Sequence, residues 1–173
     1  MSYPYLVIRD TREKNNHGWE WKKTKHCAGT LTTKLDTGDY SLQGMENYVV
    51  IERKGSIAEW AKNVTEARFE QELLRLDSIP HAWILLEFNM TDVLNYPVGS
   101  GIPRHKWRHL KFRGPFILKR ITEMMMNHKV RIVLCGGSGK EVASNIFKRA
   151  IEHADTHAAK SKQQTTSIEE ANG

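Results

Sequence analysis

Apolar residues along the chain follow two patterns, short runs of strand length and longer segments with helical spacing. The short runs predict strands over residues 5–8, 40–42, 49–51, 82–88 and 130–135, and a threonine-rich segment predicts one over 29–35. Val49, Val50 and Ile51 are consecutive and β-branched, which is typical of a buried strand. The segments before residue 52 follow one another without a helix between them, so an antiparallel meander is expected there.

Helical spacing of apolar residues appears in four segments, which cover residues 57–64, 68–76, 116–128 and 142–154. Ser56 is a candidate N-cap of the first helix, and Glu59 three residues later completes the pattern of a capping box. Residues 19–24 fit either a strand or a short helix. Prolines and glycines between residues 89 and 114 exclude a long regular element there.

The order of these elements, strands first and then strands alternating with helices, predicts an α/β sandwich with a central mixed β-sheet flanked by helices. The run 82–88 is almost continuously apolar, as expected for a strand that helices cover on both faces. The polar segment 156–173 lacks a core pattern and is predicted to be a disordered tail. A single domain over residues 1–155 is therefore expected to precede it.

Composition adds a preference for polyanionic partners. The 173 residues carry a formal net charge of +6, and the isoelectric point is near 9.3, which favours a partner such as nucleic acid. No apolar run has the length of a membrane span, and the first residues do not resemble a signal peptide. Cys27 and Cys135 lack the spacing of metal ligands, so free thiols and a cytoplasmic location are expected, in the host cytoplasm if the protein is viral.

The segment 136–140, Gly-Gly-Ser-Gly-Lys, fails the pattern of a phosphate-binding loop. Leu134 occupies the place of the first glycine of that pattern, and Glu141 stands where Ser or Thr would follow the lysine. A tight turn between a strand and a helix is the better interpretation.

The candidate chemistry lies at the ends of two predicted strands. Gly38 and Asp39 form a turn, and after a short link the strand 49–51 ends in Glu52-Arg53-Lys54. On a continuing strand Glu52 and Lys54 point to one face and Arg53 to the other. Two converging carboxylates suit a hard divalent cation, and a nearby ammonium can orient a water or stabilise charge on a phosphate. The alternative is a solvated strand end with an ion pair.

A second apolar run, 5–8, also ends in charged residues, Asp10-Thr11-Arg12-Glu13. Farther along, basic residues alternate with aromatic ones in the segment 104–113. Its candidate DNA contacts are Arg104, Lys106, Arg108 and Lys111 for phosphates and Trp107 for an exposed base. In the alternative interpretation, the apolar side chains of this segment enter the core and its charges are merely solvated.

Taken together, Asp10-Thr11-Arg12-Glu13, Gly38-Asp39 and Glu52-Arg53-Lys54 resemble, in the same order, the motifs of the XPF-type structure-specific endonucleases. That family belongs to the PD-(D/E)xK superfamily of restriction-endonuclease-like folds. The resemblance covers most of residues 5–154, and it implies a three-layer sandwich around a mixed sheet.

The resemblance also implies roles for individual residues. Asp39 and Glu52 would ligate Mg²⁺ or Mn²⁺, with Asp10 as a further candidate ligand, and Lys54 would assist the attacking water. Asp10 and Glu13 would complete an acidic catalytic pocket. Phosphate contacts would come from Arg12, Arg53 and Arg68, although structural ion pairs are an equally good interpretation of the first two.

The sequence departs from the family pattern in two respects. The family usually carries an acid four residues after the lysine, whereas this chain has Ala58 there and Glu59 one position later, as if Gly55 were inserted. The chain also ends soon after the nuclease core, so no helix-hairpin-helix or helicase domain is expected. In this respect it resembles compact single-domain forms found in phages and some microbes.

The function expected from these observations is metal-dependent cleavage of branched or flap-structured DNA, in DNA repair, recombination or replication. The alternative is a non-catalytic DNA-binding or partner-binding module with a nuclease-like fold. By analogy with the family, a homodimer and a helicase or replication protein as a partner are also expected.

Overall fold

The computed structural model describes residues 4–13 and 18–171, with backbone alone for residues 159–171. Its strands are β1 Tyr5–Arg9, β2 Cys27–Thr32, β3 Tyr40–Leu42, β4 Val49–Lys54, β5 His81–Leu86 and β6 Arg131–Leu134. Its α-helices are α1 Ile57–Asn63, α2 Ala67–Asp77, α3 Met90–Asn95, α4 Gly114–Asn127 and α5 Gly139–Ala171. Two 3₁₀ helices cover Arg104–His109 and Gly136–Ser138.

The strands form one six-stranded mixed sheet in the order β2-β1-β3-β4-β5-β6. Strand β3 runs antiparallel to both β1 and β4, whereas β4, β5 and β6 are mutually parallel. Strand β2 lies at the sheet edge and pairs in parallel with β1, so the predicted antiparallel meander is wrong for this strand. The connection over residues 10–26 is long enough for the return that a parallel neighbour requires.

Helices cover both faces of the sheet, which confirms the predicted α/β sandwich. On one face, helices α1 to α4 pack on the sheet around Trp60, Leu73, Ile84 and Ile117. On the other face, α5 packs through Phe147 against an aromatic group whose members are Trp19, Trp21 and Tyr40. The mixed sheet therefore forms the middle layer of three.

The segment 19–24 is neither a strand nor a helix. Trp19 and Trp21 are both buried, and the Trp21 backbone N–H donates to the Thr30 hydroxyl at 2.7 Å. The alternation of aromatic and polar residues in this segment therefore reflects indole rings that turn into the core from an irregular backbone.

Capping explains two helix starts. The Ser56 hydroxyl accepts from the Glu59 backbone N–H at 3.2 Å, as predicted, but the Glu59 carboxylate accepts from the Gly55 N–H instead of completing the capping box. Helix α3 was not predicted, because six residues are too few to show a helical period. Its sequence signal is the reciprocal capping box of Asn89 and Asp92, with hydrogen bonds of 3.0 and 2.8 Å.

The turn before α5 has the predicted character of a tight connection. A Cβ at Gly139 would clash with the Trp19 ring and would lie 3.2 Å from Glu87 Oε1. This glycine therefore permits close packing of the helix start on Trp19, and the segment 136–140 has a structural explanation.

Helix α5 continues to Ala171, so the structure differs from the disordered tail predicted over 156–173, whose last two residues lie outside the described range. Alanine, lysine and glutamine favour helix, and adding residues to an existing helix avoids a new nucleation step.

Both cysteines are free thiols, as expected. Within residues 4–13 and 18–171, no helix combines the length and the apolar content that crossing a bilayer requires.

Candidate active site

The Gly38-Asp39 turn brings two strand ends together. The Asp39 N–H donates to the Ile51 carbonyl at 2.9 Å, and the Asp39 carbonyl accepts from the Asp10 N–H at 2.8 Å. Gly38 has a φ of 76°, and a Cβ there would clash with the Val50 side chain. Because only glycine fits this approach, it fixes Asp39 beside β4.

A cleft of about 690 Å³ opens at this edge of the sheet, between the strand ends and helices α1 and α2. It brings together seven of the predicted site residues: Arg12, Glu13, Asp39, Glu52, Arg53, Lys54 and Arg68. Asp10 and the predicted contacts in 104–113 are not among the described residues that line the cleft.

Asp39 and Glu52 are held by different means. The Arg53 backbone N–H donates to Asp39 Oδ2 at 2.8 Å, whereas Glu52 Oε1 accepts from Lys54 Nζ at 2.6 Å. Glu52 and Lys54 are 4% and 6% exposed, so this ion pair is buried. The alternation along β4 therefore delivers Glu52 and Lys54 to one face, as predicted.

Burial and mutual repulsion raise the pKa values of both carboxyl groups. Burial raises the pKa of Asp39 to about 7, and the charges of Glu13 and Glu72 add to this effect against the opposing Arg53 N–H and Lys54. Burial, followed by the charge of Asp39, raises the pKa of Glu52 well above its ordinary value. Two buried carboxyl groups resist carrying negative charge at the same time, and a bound cation would stabilise both charges.

Lys54 is the buried cation that pairs with Glu52 in this cleft. Burial alone would lower the pKa of its ammonium group, but the charge and hydrogen bond of Glu52 raise it above the ordinary value. The ammonium also lies 5.3 Å from the centre of the Phe69 ring. A lysine that stays charged at neutral pH suits charge stabilisation and the orientation of water, not proton abstraction.

Asp10 is fully buried, and its carboxylate is occupied by hydrogen bonds. It accepts from the Arg12 N–H at 2.7 Å, from Arg12 Nε at 2.6 Å and from the Leu35 N–H at 2.6 Å. Burial alone would raise the pKa of Asp10, but these hydrogen bonds lower it. Asp10 therefore braces the turn and Arg12, and this geometry gives no support to the predicted role of a metal ligand.

Arg53 and Glu13 form an ion pair, which is one of the two interpretations that the sequence allowed for the arginine. Arg53 Nη1 contacts Glu13 Oε1 at 2.6 Å, and Nε donates to Glu87 Oε2 at 2.7 Å. Sequence reasoning missed Glu87. Its signal was available, because Glu87 directly follows the apolar run of β5, as Glu52 follows the run of β4.

Three further acids line the cleft and were missed as site residues: Glu59, Glu66 and Glu72. Glu72 raises the pKa of both Asp39 and Glu52. It stands four residues after Arg68 on α2, so helical periodicity could have placed both on one face.

The carboxylates of the cleft can be compared with the ligands that Mg²⁺ commonly uses in proteins. In the described part of the chain, no three His, Cys, Asp or Glu side chains gather as a metal-binding group. Asp39 and Glu52 form a pair of hard oxygen donors with raised pKa values. Since Mg²⁺ commonly uses one or two carboxylates together with water and substrate phosphates, this pair fits it.

The basic segment lies on a 3₁₀ helix, Arg104–His109, in the connection between α3 and α4. Arg104, Lys106, Arg108 and Lys111 are exposed. Trp107 is half-buried, its Nε1–H donates to the Ile102 carbonyl at 2.8 Å, and the Arg104 guanidinium lies 5.7 Å from its ring centre. The tryptophan thus anchors the segment, while the basic side chains face solvent.

No protein-family model and no curated protein sequence matches the chain. Among solved structures, XPF from Aeropyrum pernix matches 86% of this chain with a TM-score of 0.55 and 16% sequence identity. XPF from Aeropyrum pernix in complex with DNA matches the same share with a TM-score of 0.56 and 16% identity. The alignments span 61% and 66% of those chains, less than two thirds of their length. The chain therefore has the fold of the XPF-type nuclease.

Proposed function

We propose that the protein is a divalent-metal-dependent endonuclease that cleaves branched or flap-structured DNA. The observation that carries this proposal is the convergence of Asp39, Glu52 and Lys54 in one cleft, where both carboxyl groups have raised pKa values. The fold supports it, because one solved structure that the chain resembles is a complex with DNA.

Asp39 and Glu52 would hold Mg²⁺ or Mn²⁺. When bound, such an ion polarises a phosphoryl oxygen and lowers the pKa of a coordinated water. The Arg53 N–H occupies Oδ2 of Asp39, which leaves Oδ1 for the ion. Glu52 Oε1 contacts Lys54, which leaves Oε2.

Lys54 supplies the positive charge at the reacting phosphate. Its ammonium group has three donors, one of which contacts Glu52. The remaining donors can hold the attacking water or a phosphate oxygen as negative charge develops. The raised pKa of this lysine keeps it charged during that step.

DNA would contact exposed cations in the cleft and in the basic segment. Arg12 and Arg68 line its mouth, and both are exposed. The basic segment follows β5 and α3, and β5 ends beside Lys54 because Leu86 pairs with that residue in the parallel ladder. The chain thus leads from the cleft edge to the segment, which suits contacts with phosphates outside the cleavage site.

A homodimer, a helicase or replication protein as a partner, and a role in DNA repair or recombination remain proposals that rest on the likeness to the XPF-type fold. The same holds for a cytoplasmic location. A pull-down from the source cell, followed by cleavage assays with each captured protein, tests the helicase or replication partner.

The test of the activity is a cleavage assay on labelled flap, fork, splayed-arm, Holliday-junction, duplex and single-stranded DNA. We expect cleavage of branched substrates with Mg²⁺ or Mn²⁺, none with EDTA, and none by the Asp39→Asn variant. The matched control is Glu123→Gln, which weakens the ion pairs of this half-buried residue with Lys119 and Arg120 on α4, outside the cleft. DNA binding without cleavage of any substrate would instead identify a non-catalytic module, and undiminished cleavage in EDTA would exclude the metal.

A further inference from the structure

The side chain of Arg53 lies on the face of β4 opposite to Glu52 and Lys54, where it is enclosed by acids. Its Nη1 contacts Glu13 Oε1 at 2.6 Å, its Nε donates to Glu87 Oε2 at 2.7 Å, and Nη2 also contacts Glu87. The Arg53 side chain is 12% exposed. One buried cation is therefore shared by two carboxylates.

Glu87 is itself fixed from two directions. Its backbone N–H donates to the Lys54 carbonyl at 2.9 Å, and its Oε1 accepts from Trp19 Nε1 at 3.1 Å. The same indole ring lies against the Arg53 guanidinium, with 5.1 Å between Cζ and the ring centre. Glu87 thus joins the end of β4 to the aromatic group beneath α5.

This arrangement reaches the cleft through the backbone of Arg53. The Arg53 N–H that donates to Asp39 Oδ2 belongs to the residue whose side chain Glu87 and Glu13 hold. Any rotation of the β4 end that released the guanidinium would also move this N–H. The orientation of the Asp39 carboxylate therefore depends on the clamp that Glu13 and Glu87 form around the Arg53 guanidinium.

Charge gives the clamp a second effect. Arg53 lines the cleft, and an uncompensated positive charge there would oppose the binding of a cation by Asp39 and Glu52. Glu13 and Glu87 together carry two negative charges against the single positive charge of Arg53. The group as a whole therefore carries one net negative charge, which preserves the attraction of the cleft for a divalent ion.

We propose that Glu87 is a positioning residue of the cleft, which acts through Arg53 on the cation affinity of Asp39 and Glu52. This inference rests on the proposed function, since it presumes that the cleft binds a divalent ion. Glu87 is not among the described residues that line the cleft, so the proposed effect is indirect. Glu13 acts on the cation affinity in the same way. Its effect is smaller, because it contacts one nitrogen of the Arg53 guanidinium.

The test is Glu87→Gln, which keeps the shape of the side chain but removes one charge. Glutamine has one oxygen for two donors, Arg53 Nε and Trp19 Nε1, so one of them loses its acceptor. We expect Mn²⁺ affinity, measured by calorimetry without DNA, to fall about 10–100-fold, the range found for residues that orient metal ligands. The cleavage rate at saturating DNA should fall with it, while DNA affinity in EDTA stays at the wild-type value.

Two further variants make the result decisive. Glu13→Gln should weaken Mn²⁺ binding in the same direction but less, and it replaces the main variant if Glu87→Gln fails to fold. Glu123→Gln should leave Mn²⁺ binding unchanged. A raised Mn²⁺ concentration should restore the cleavage rate of Glu87→Gln, which a merely misfolded cleft would not allow.

Outcomes for the two proposals are distinguishable. If the wild-type protein binds no Mn²⁺ and cuts nothing, the proposed function and this inference both fail. If the wild type binds and cuts, and the folded Glu87→Gln variant has the same Mn²⁺ affinity, the inference alone is overturned.

Discussion

The cleft and the basic segment both carry charged residues, but they hold them in opposite ways. In the cleft, Glu52, Lys54 and Arg53 are paired and mostly shielded from water. In the basic segment, Arg104, Lys106, Arg108 and Lys111 are exposed, and none of them pairs with a carboxylate of the described residues. Groups that take part in chemistry need fixed positions, whereas groups that attract a polyanion act at a distance and can stay mobile.

This difference predicts that the two regions control different observables. Changes in the cleft should alter the rate of cleavage and the affinity for a metal ion. Changes in the basic segment should alter the affinity for DNA and its dependence on salt.

The two carboxylates of the cleft should have the largest effect on rate. Asp39→Asn and Glu52→Gln should each lower single-turnover cleavage by about a hundredfold or more, the loss that follows removal of one preorganised electrostatic group. Both amides retain an oxygen, so Asp39→Asn can still accept from the Arg53 N–H. Near-normal cleavage by either variant would show that the metal assignment is wrong.

Lys54→Met should lower cleavage by about a hundredfold while Mn²⁺ binding is kept. Methionine occupies a similar volume but carries no charge. A bound metal ion is then the remaining positive charge that can stabilise the buried carboxylate of Glu52, so Mn²⁺ binding should be kept. Calorimetric titration with Mn²⁺, combined with single-turnover rates, separates the two effects. Loss of Mn²⁺ binding in this variant would make Lys54 a brace for Glu52.

The basic segment should change binding and leave the chemical step intact. In an Asp39→Asn background, replacing Arg104, Lys106, Arg108 and Lys111 by Ala should weaken binding to every DNA substrate. Each lost phosphate contact lowers the slope of log affinity against log salt by about 0.9 on duplex DNA. The measurement is fluorescence anisotropy at several salt concentrations. An unchanged slope would show that the segment does not contact phosphate, and the cleft would then be the whole DNA site.

Stability without metal should depend on pH through Asp39, and this effect is the smallest of the four. The pKa of Asp39 is about 7 in the folded protein, against an ordinary value of 3.8. The folded state keeps a proton that the unfolded chain has released, so stability falls as pH rises between these values. The loss is on the order of a few kcal/mol at most, since each unit of pKa is worth about 1.4 kcal/mol.

Urea unfolding at pH 5 and pH 8 in EDTA measures this loss. Asp39→Asn should show a smaller decrease than the wild type, because the amide does not titrate. Added Mn²⁺ at pH 8 should restore wild-type stability more than that of the variant. Equal pH dependence in the two proteins would show that Asp39 is ordinarily ionised in the fold.

Features that depend on neighbours along the chain could be predicted from the amino-acid sequence. The β-branched run before Glu52 predicted a buried strand, and the period of two along it predicted that Glu52 and Lys54 share a face. The glycine before Asp39 predicted a turn, and a φ of 76° at Gly38 confirms it. These inferences succeed because strand periodicity and turn preference are local properties of the backbone.

Which charged groups meet depends on packing between elements that are distant in the sequence. Arg53 contacts Glu13 and Glu87, which lie 40 and 34 residues away in the sequence, and no local pattern encodes those pairs. For the same reason, the sequence could not distinguish the environments of Asp10 and Asp39, which both resemble metal-binding acids of the family. Asp10 accepts hydrogen bonds from Arg12 and from the Leu35 N–H, whereas Asp39 lines the cleft. Strand β2 pairs in parallel with β1, and the residues of the two strands do not predict this direction. The long connection between them packs into the core through Trp19 and Trp21, and this packing sets the position of β2 in the sheet. The chemical type of each side chain can be read from the sequence. The groups that it contacts depend on which elements the hydrophobic core packs side by side.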